Sequence, residues 1–387
     1  MIEKNKNIKI LRIISRMNVG GPSKHVANIS DSLNKYGYKT RILSGLPTPQ
    51  EGNMFNIAKE KQLELMVIEE MGRSISPIKD CLSLIKIYKQ IKAFKPDIVH
   101  THTSKAGVLG RIAALICGVP NIYHTYHGHI FKGYFSKSAT SFIILIERLL
   151  ARSTTNLIAL TPKLAQEINY FLKLSNPSKI KVIPLGLELE KNLQTPRHLG
   201  KWRSTHNFKQ NDFIIGIVAR LVPIKNHQML IDSMTYLTQQ IPNLHLAIIG
   251  KGELESSLKN QVKNLHLESN IHFIGNETNM EEAYSDLDLL VLCSKNEGTP
   301  VTIIEALASG CPVGATNVGG ILEIFQQIAS GSLLASEPNA FKNDLLHLIK
   351  NVNEIAVSEI QRQAISNFYS VNKLAKNISS LYKREPK

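Results

Sequence analysis

Short, unbroken apolar runs recur along the chain, each followed by a loop and then by a stretch with helical spacing. The clearest is Leu287–Leu292, flanked by polar residues. A run apolar at every position reads as a strand buried on both faces, as in a parallel sheet. It ends at Ser294, and Lys295–Thr299 forms a loop. Pro300 then opens a helix, because its fixed φ suits a first turn where an N–H would be unpaired anyway. Gly310 closes that helix, and Cys311–Thr316 reads as the next strand.

The same alternation predicts strands at Ile8–Ile14, Thr40–Ser44, Leu63–Ile68, Asp97–His100, Asn121–His124, Asn156–Leu160 and Lys181–Pro184. A second series begins with Phe213–Val218, His245–Ile249 and Ile271–Gly275. Helices are expected at Ser23–Leu33, Pro77–Phe94, Val108–Cys117, Phe142–Leu150, within Phe341–Tyr369, and at Val371–Lys383. Thr101–Gly107 reads as a turn and Pro47–Asn56 as a loop. Thr195–Trp202, polar and containing Pro196, reads as a linker. The expectation is an α/β protein of two domains, 1–195 and 196–370, followed by a terminal helix, which suits a length of 387 residues.

Apolar residues make up 43% of the chain, enough for a substantial core. No run has the length of a membrane span, and no signal peptide is expected before the first strand. Cys81, Cys117, Cys293 and Cys311 form no C-x-x-C pair; they suit a reducing cytoplasm, as small buried fillers. The net charge of +15 is uneven: Met1–Thr195 holds 28 Lys and Arg against 13 Asp and Glu, and the remainder holds 18 of each. The first half is therefore expected to meet something anionic. With aromatics at 6% and no reading element, nucleic acid is not the expected partner.

Candidate chemistry collects at strand exits. A strand–loop–helix unit aims free N–H groups at the carboxyl edge of the sheet, where anions bind. Arg220 and Lys225 follow the strand Phe213–Val218 and could neutralise a diphosphate. Glu297 and Glu305 frame the loop after Leu287–Leu292. On spacing alone these two read as a loop charge and a solvated helix residue. His100, His102, His124, His127 and His129 gather at two neighbouring strand ends and read mainly as loop or cleft-wall residues. No Cys or Asp–Glu set at ligand spacing completes a metal site there. Asp286 and Asp288 have a metal-binding D-x-D spacing but sit at the wrong end of their strand. Neither Gly20-Gly21 nor Gly250-Lys251-Gly252 completes the dinucleotide fingerprint.

Longer motifs change that weighting. Glu297-Gly298-Thr299-Pro300-Val301-Thr302 through Glu305, then Ala306 to Val313 and Val318-Gly319-Gly320, closely resembles the E-x7-E signature of retaining family-four glycosyltransferases. Ala219-Arg220-Leu221 through Lys225 resembles that family's phosphate loop, with Ala219 in place of glycine. Gly20-Gly21 followed by His25 resembles its N-terminal glycine loop. His100 to Gly107 with His127-Gly128 resembles the acceptor-side core of enzymes that extend lipid-linked or surface polysaccharides. The resemblance implies a GT-B fold, two Rossmann-like domains whose parallel sheets face an interdomain cleft, with the terminal helix 371–387 crossing back to the first domain.

It further implies a nucleotide-sugar donor, most simply a UDP-sugar, held by Gly20, Gly21, Gly250, Gly298, Thr299, Pro300, Val301, Thr302 and Glu305. Arg220 and Lys225 would stabilise the departing diphosphate, and Glu297 and His127 would orient the sugar. Lys105 and His25 are expected on the acceptor side, although His25 reads equally as a core residue of its helix. No metal or other cofactor is called for. The acceptor would be a glycan, free or lipid-linked. The enzyme is expected in the cytoplasm, held peripherally at the anionic inner face of the membrane by its basic first domain. Two rivals are a nucleotide-sugar 2-epimerase of the same architecture, which would not be expected to carry the E-x7-E loop, and a basic nucleic-acid-binding protein.

Overall fold

The computed structural model describes residues 8–48, 52–72, 74–128, 131 and 136–383. It divides into two α/β units, Met1–Leu187 with Tyr369–Lys387, and Glu188–Phe368. In the first unit the strands are β1 (Lys9–Ile14), β2 (Lys39–Gly45), β3 (Glu64–Ile68), β4 (Ile98–His102), β5 (Asn121–Tyr126), β6 (Asn156–Ala159) and β7 (Ile180–Val182). They form one parallel sheet in the order β3-β2-β1-β4-β5-β6-β7. The second unit carries β8 (Phe213–Val218), β9 (Leu244–Ile249), β10 (Ile271–Gly275), β11 (Leu289–Leu292), β12 (Val313–Thr316) and β13 (Ser332–Leu334). Its parallel order is β10-β9-β8-β11-β12-β13.

Both orders run outward in two directions from a central pair, β1 beside β4 and β8 beside β11. In such sheets the chain leaves neighbouring strands toward opposite faces at that pair, and ligands bind beyond the carboxyl ends there. The central strands are buried along nearly their whole length; β8 and β11 are accordingly apolar without alternation, whereas β1 and β4 bury Arg12, His100 and His102.

The terminal helix Val371–Lys383 belongs to the first unit. It buries Leu374, Ala375, Ile378, Leu381 and Tyr382 against Ile10, Ile29, Leu33 and Tyr123. A bridge between Leu187 and Ser370 leads into it. Gly186 is required beside it, since a Cβ there would stand 2.8 Å from Leu374 Cβ.

Several boundaries differ from the sequence reading. The division falls at Leu187, not at 195. The expected linker Thr195–Trp202 is instead fastened to the second unit. Arg197 donates to the carbonyls of Tyr284 and Leu287 at 2.7 and 2.9 Å, and Trp202 is buried. Gly21 is the first residue of the helix Gly21–Lys35, so only Gly20 precedes it. The expected turn Thr101–Gly107 shrinks to one residue, Thr103 with φ +65°, between β4 and the helix Ser104–Ile116. Gly107 lies within that helix, and no larger residue would fit there, because the ring of His124 occupies the space a Cβ would need, 2.5 Å away. The expected loop Pro47–Asn56 runs into a short helix, Phe55–Glu60.

Leu374→Ala should leave a cavity between the terminal helix and the sheet. We expect the first unit to lose about 2–5 kcal/mol, read as an earlier urea transition of the full chain. An unchanged transition would mean that the helix does not support this core.

Candidate active site

In the second unit, two loops meet beyond the central strands. After β8 the chain passes Ala219 and Arg220 into the turn Pro223–Lys225. After β11 it passes Ser294 and Glu297 to the helix Val301–Ala308, with Pro300 at its cap. The Lys295 N–H donates to the Ile224 carbonyl at 2.9 Å and ties the loops together. Lys225 Nζ lies 2.6 Å from Glu297 Oε1, which also accepts from Ser294 Oγ at 2.7 Å. Glu297 is thus fixed from two sides with its side chain 8% exposed, and Lys225 is paired rather than free. Arg220 is exposed, and its guanidinium has no partner among the described residues. An anion arriving here would meet one unpaired cation and one shared with Glu297.

Three glycines make these close approaches possible. A Cβ on Gly250, at φ +137°, would fall 2.2 Å from the Ala219 carbonyl oxygen. Gly252 lies as tightly against Leu221, and Gly319, at φ +59°, would strike the Glu297 carbonyl at 2.0 Å. The Gly320 N–H donates to the Gly298 carbonyl at 3.0 Å, so the end of the long motif holds its beginning. Helix Val301–Ala308 has no side-chain cap and no acid in its first turn; its free N–H groups at Val301 and Thr302 are available to an anion. Thr299 Oγ1 is buried without a partner among the described residues. Glu305 is half-buried, and its Oε2 accepts from the hydroxyl of the buried Tyr284 at 3.1 Å. It is therefore not a solvated helix charge.

Asp286 and Asp288 are taken. Asp286 accepts the N–H groups of Gly200, Trp202 and Arg203, and Asp288 holds Arg203 at 2.7 Å and the Ile214 N–H. Both hold the amino end of the sheet together.

In the first unit, the exits of β1 and β4 carry the glycine loop and the histidines. The helices Gly21–Lys35 and Ser104–Ile116 both begin there without a side-chain cap or an acidic first turn. The strained Thr103 is held by Ser15, whose N–H donates to Thr103 Oγ1 at 3.1 Å. Strain of that kind persists only where its surroundings enforce it.

Of the expected loop or cleft-wall histidines, His127 does lie in a loop, just past β5, but three others do not. His100, His102 and His124 are strand residues, each at most 1% exposed. They are tolerated inside the sheet because each ring finds at least one polar partner. His100 contacts Arg12, Tyr382 and Thr125, and His124 contacts Thr101. His102 Nδ1 lies 3.1 Å from His127 Nε2. His25 is buried on its helix with its ring edge-on to His127 at 5.0 Å, and its Nδ1 has no hydrogen-bond partner among the described residues. His25, His102 and His127 bring nitrogens within 4.8 Å of one another. A divalent cation among them would need a bare nitrogen of His102, whose Nε2 is already 3.3 Å from the Arg12 guanidinium. That neighbouring charge disfavours a metal there. His129 lies outside the described residues.

Lys105 is not a free cation. It sits in the first turn of Ser104–Ile116, 2.5 Å from Asp80, and donates to the Ser74 carbonyl. The sequence reading missed Arg12, Tyr284 and Tyr382. Arg12 had a signal, a lone charge inside the apolar strand Lys9–Ile14, since an Arg is seldom buried without partners. The two tyrosines had none, because their partners lie 21 or more residues away.

The glycosyltransferase family 4 model matches residues 19–191, and the glycosyl transferases group 1 model matches residues 200–380. The UDP-Gal:alpha-D-GlcNAc-diphosphoundecaprenol alpha-1,3-galactosyltransferase of Escherichia coli is 34% identical over 319 residues, 81% of this chain and 82% of that protein. The chain belongs to glycosyltransferase family 4. A second relative, the capsular polysaccharide biosynthesis glycosyltransferase CapM of Staphylococcus aureus, is 27% identical over 84% of this chain and 86% of its own. Among solved structures, Anabaena HepE in complex with UDP-glucose has a TM-score of 0.80 at 21% identity, covering 97% of this chain and 100% of that one. The fold is therefore the GT-B pairing of two Rossmann-like domains, and the family makes the chain a glycosyltransferase.

Burial lowers the pKa of His127 in this family 4 enzyme to about 4 and pushes His25, His100, His102 and His124 well below the usual imidazole range. Between pH ~6.5 and ~4 the unfolded chain then binds more protons than the native one, so stability rises with pH in that window. The first unit should lose stability as pH falls from about 6.5 toward 4, by up to about 1.4 kcal/mol per pH unit for each such histidine. Urea titrations of the full chain at several pH values measure this. A flat profile across that window would mean that these imidazoles are charged in the native protein.

Proposed function

We propose that this enzyme moves a hexose from a UDP-sugar, with retention of anomeric configuration, onto a sugar carried by a polyprenyl diphosphate. The reading is carried by the 34% identity to the Escherichia coli enzyme, whose name states a UDP-sugar and a diphosphoundecaprenol-linked acceptor and whose match spans most of both chains. The second unit takes the nucleotide-sugar and the basic first unit the acceptor.

Each residue role follows from its chemistry. Glu305, oriented by Tyr284, accepts the ribose hydroxyls. Arg220 and Lys225, with the free N–H groups of helix Val301–Ala308, stabilise the charge that grows on the departing diphosphate. Glu297 is held ready for the sugar hydroxyls by Ser294 and Lys225, and a diphosphate would compete with it for Lys225. His127, neutral at pH 7, meets the transferred sugar. No nucleophile presents itself among the described residues, and the resemblance to family 4 suggests that the acceptor oxygen attacks on the face that the diphosphate leaves, with the leaving phosphate taking its proton. Asp286 and Asp288 are committed to structure, so phosphate charge is met by protein cations and no metal is required.

Incubation of the full chain with a panel of UDP-hexoses and a short-chain polyprenyl-diphosphate-linked sugar tests the reading. A glycosylated lipid product is expected, and Arg220→Ala should lower turnover on the order of 10²-fold to 10³-fold while EDTA changes little. UDP-sugar isomerised without an acceptor would favour the 2-epimerase. Activity lost to EDTA and restored by a divalent ion would overturn the metal-free assignment.

The acceptor reading extends to a membrane surface. Helix Pro77–Phe94 exposes Ile78, Leu82 and Ile85 on one face, with Lys79, Lys89 and Lys92 also exposed and Lys86 paired with Glu70 at 2.6 Å. Helix Lys137–Ser153 exposes Phe142, Leu145 and Leu149, flanked by Lys137 and Arg152. Both pack on helix Ser104–Ile116, the second through a buried Arg111–Glu147 pair at 2.7 Å. Apolar side chains ringed by lysine suit an anionic bilayer, at about 1 kcal/mol per basic residue. Among the described residues no helix is long and apolar enough to cross a membrane, so attachment would be peripheral, on the cytoplasmic face. The full chain should co-sediment with anionic but not neutral vesicles and be released by high salt, and Leu82→Ser with Phe142→Ser should weaken binding. Failure to bind either vesicle, with full activity on a water-soluble acceptor, would remove the membrane from the account.

A further inference from the structure

Arg12 is fully buried in β1, and its N–H groups reach two imidazoles and a phenol. In the β1–β4 register it lies opposite His100, and His102 follows two residues later on the same face. Arg12 Nη1 stands 3.0 Å from His100 Nδ1 and 3.3 Å from His102 Nε2. A guanidinium only donates. Both of those ring nitrogens are therefore acceptors and carry no proton.

The remaining protons are then determined. Each imidazole is buried beside a cation and is neutral, so each keeps its one proton on the other nitrogen. His100 Nε2–H donates to Thr125 Oγ1 at 2.7 Å, and the Tyr382 hydroxyl donates to His100 Nδ1 at 2.6 Å. His102 Nδ1–H donates to His127 Nε2 at 3.1 Å. His127 Nε2 is thereby an acceptor, and the single proton of that ring sits on Nδ1.

We infer that Arg12 and His102 are positioning residues that set the tautomer of His127, so that it offers the transferred sugar a fixed Nδ1–H donor. The inference rests on the proposal that His127 meets the sugar. It excludes His127 from taking the acceptor proton, because its only bare nitrogen is already bonded to His102. His100, Thr125 and Tyr382 keep Arg12 in place, which ties the terminal helix to the same chain of hydrogen bonds.

Long-range ¹H–¹⁵N spectra of the full chain, with ¹⁵N-labelled histidine and His127 assigned by its loss in His127→Phe, read the tautomer directly. We expect Nδ1 protonated and Nε2 bare in the wild type. His102→Asn keeps an N–H where Nδ1 stood and should keep both the tautomer and most of the turnover. His102→Leu should give a mixture of tautomers and lower kcat on the order of 10²-fold, with KM for the nucleotide-sugar little changed. His127 protonated on Nε2 in the wild type would overturn the inference, and that measurement needs no variant to fold. An unaltered tautomer in His102→Leu would also overturn it. Intact turnover in His127→Phe, with the tautomer as expected, would remove His127 from the sugar while leaving the hydrogen-bond chain standing.

Discussion

Every strand in both sheets runs parallel to its neighbours, so each connection must cross a face of the sheet and re-enter at the far end. All strand exits in a unit therefore share one edge. At the central pair, β1 with β4 and β8 with β11, the helices leave toward opposite faces and open a gap between the loops. That constraint explains why residues far apart in sequence meet. Lys225 and Glu297 are 72 residues apart and 2.6 Å from one another because their strands are adjacent. Gly250 and Gly319 let the neighbouring loops crowd this edge without collision.

The two units use that shared geometry with different chemistry. In the second, ionised partners are balanced locally, Lys225 against Glu297 and Arg203 against Asp288. In the first, the cation Arg12 is buried without a carboxylate partner among the described residues and is held by neutral imidazoles and a phenol. Such an arrangement costs desolvation energy unless its hydrogen bonds are made. The return from that cost is orientation, since a guanidinium that can only donate dictates where its neighbours keep their protons.

Much of the architecture was legible because parallel strands are apolar on both faces and stand out as continuous runs. Phe213–Val218, Asn121–His124 and Val371–Lys383 fall on their elements. The long motif also fell correctly on a strand, loop and helix. Less legible was whatever depended on contacts between distant segments. Thr195–Trp202 looks like a linker by composition, yet Arg197 fastens it to the carbonyls of Tyr284 and Leu287. Lys105 looks like a free cation until Asp80 is seen beside it. His100 and His102 look like loop residues because imidazoles seldom line a sheet interior, and only the pairing of β1 with β4 shows the Arg12 that keeps them there.

The central claim is that the sugar passes to the acceptor with retention of anomeric configuration. The anomeric configuration of the purified lipid-linked product, read from its one-bond C–H coupling, tests this most directly. An α-linked UDP-hexose should give an α-linked product. A β-linked product would contradict the account, because it requires attack from the face opposite the diphosphate.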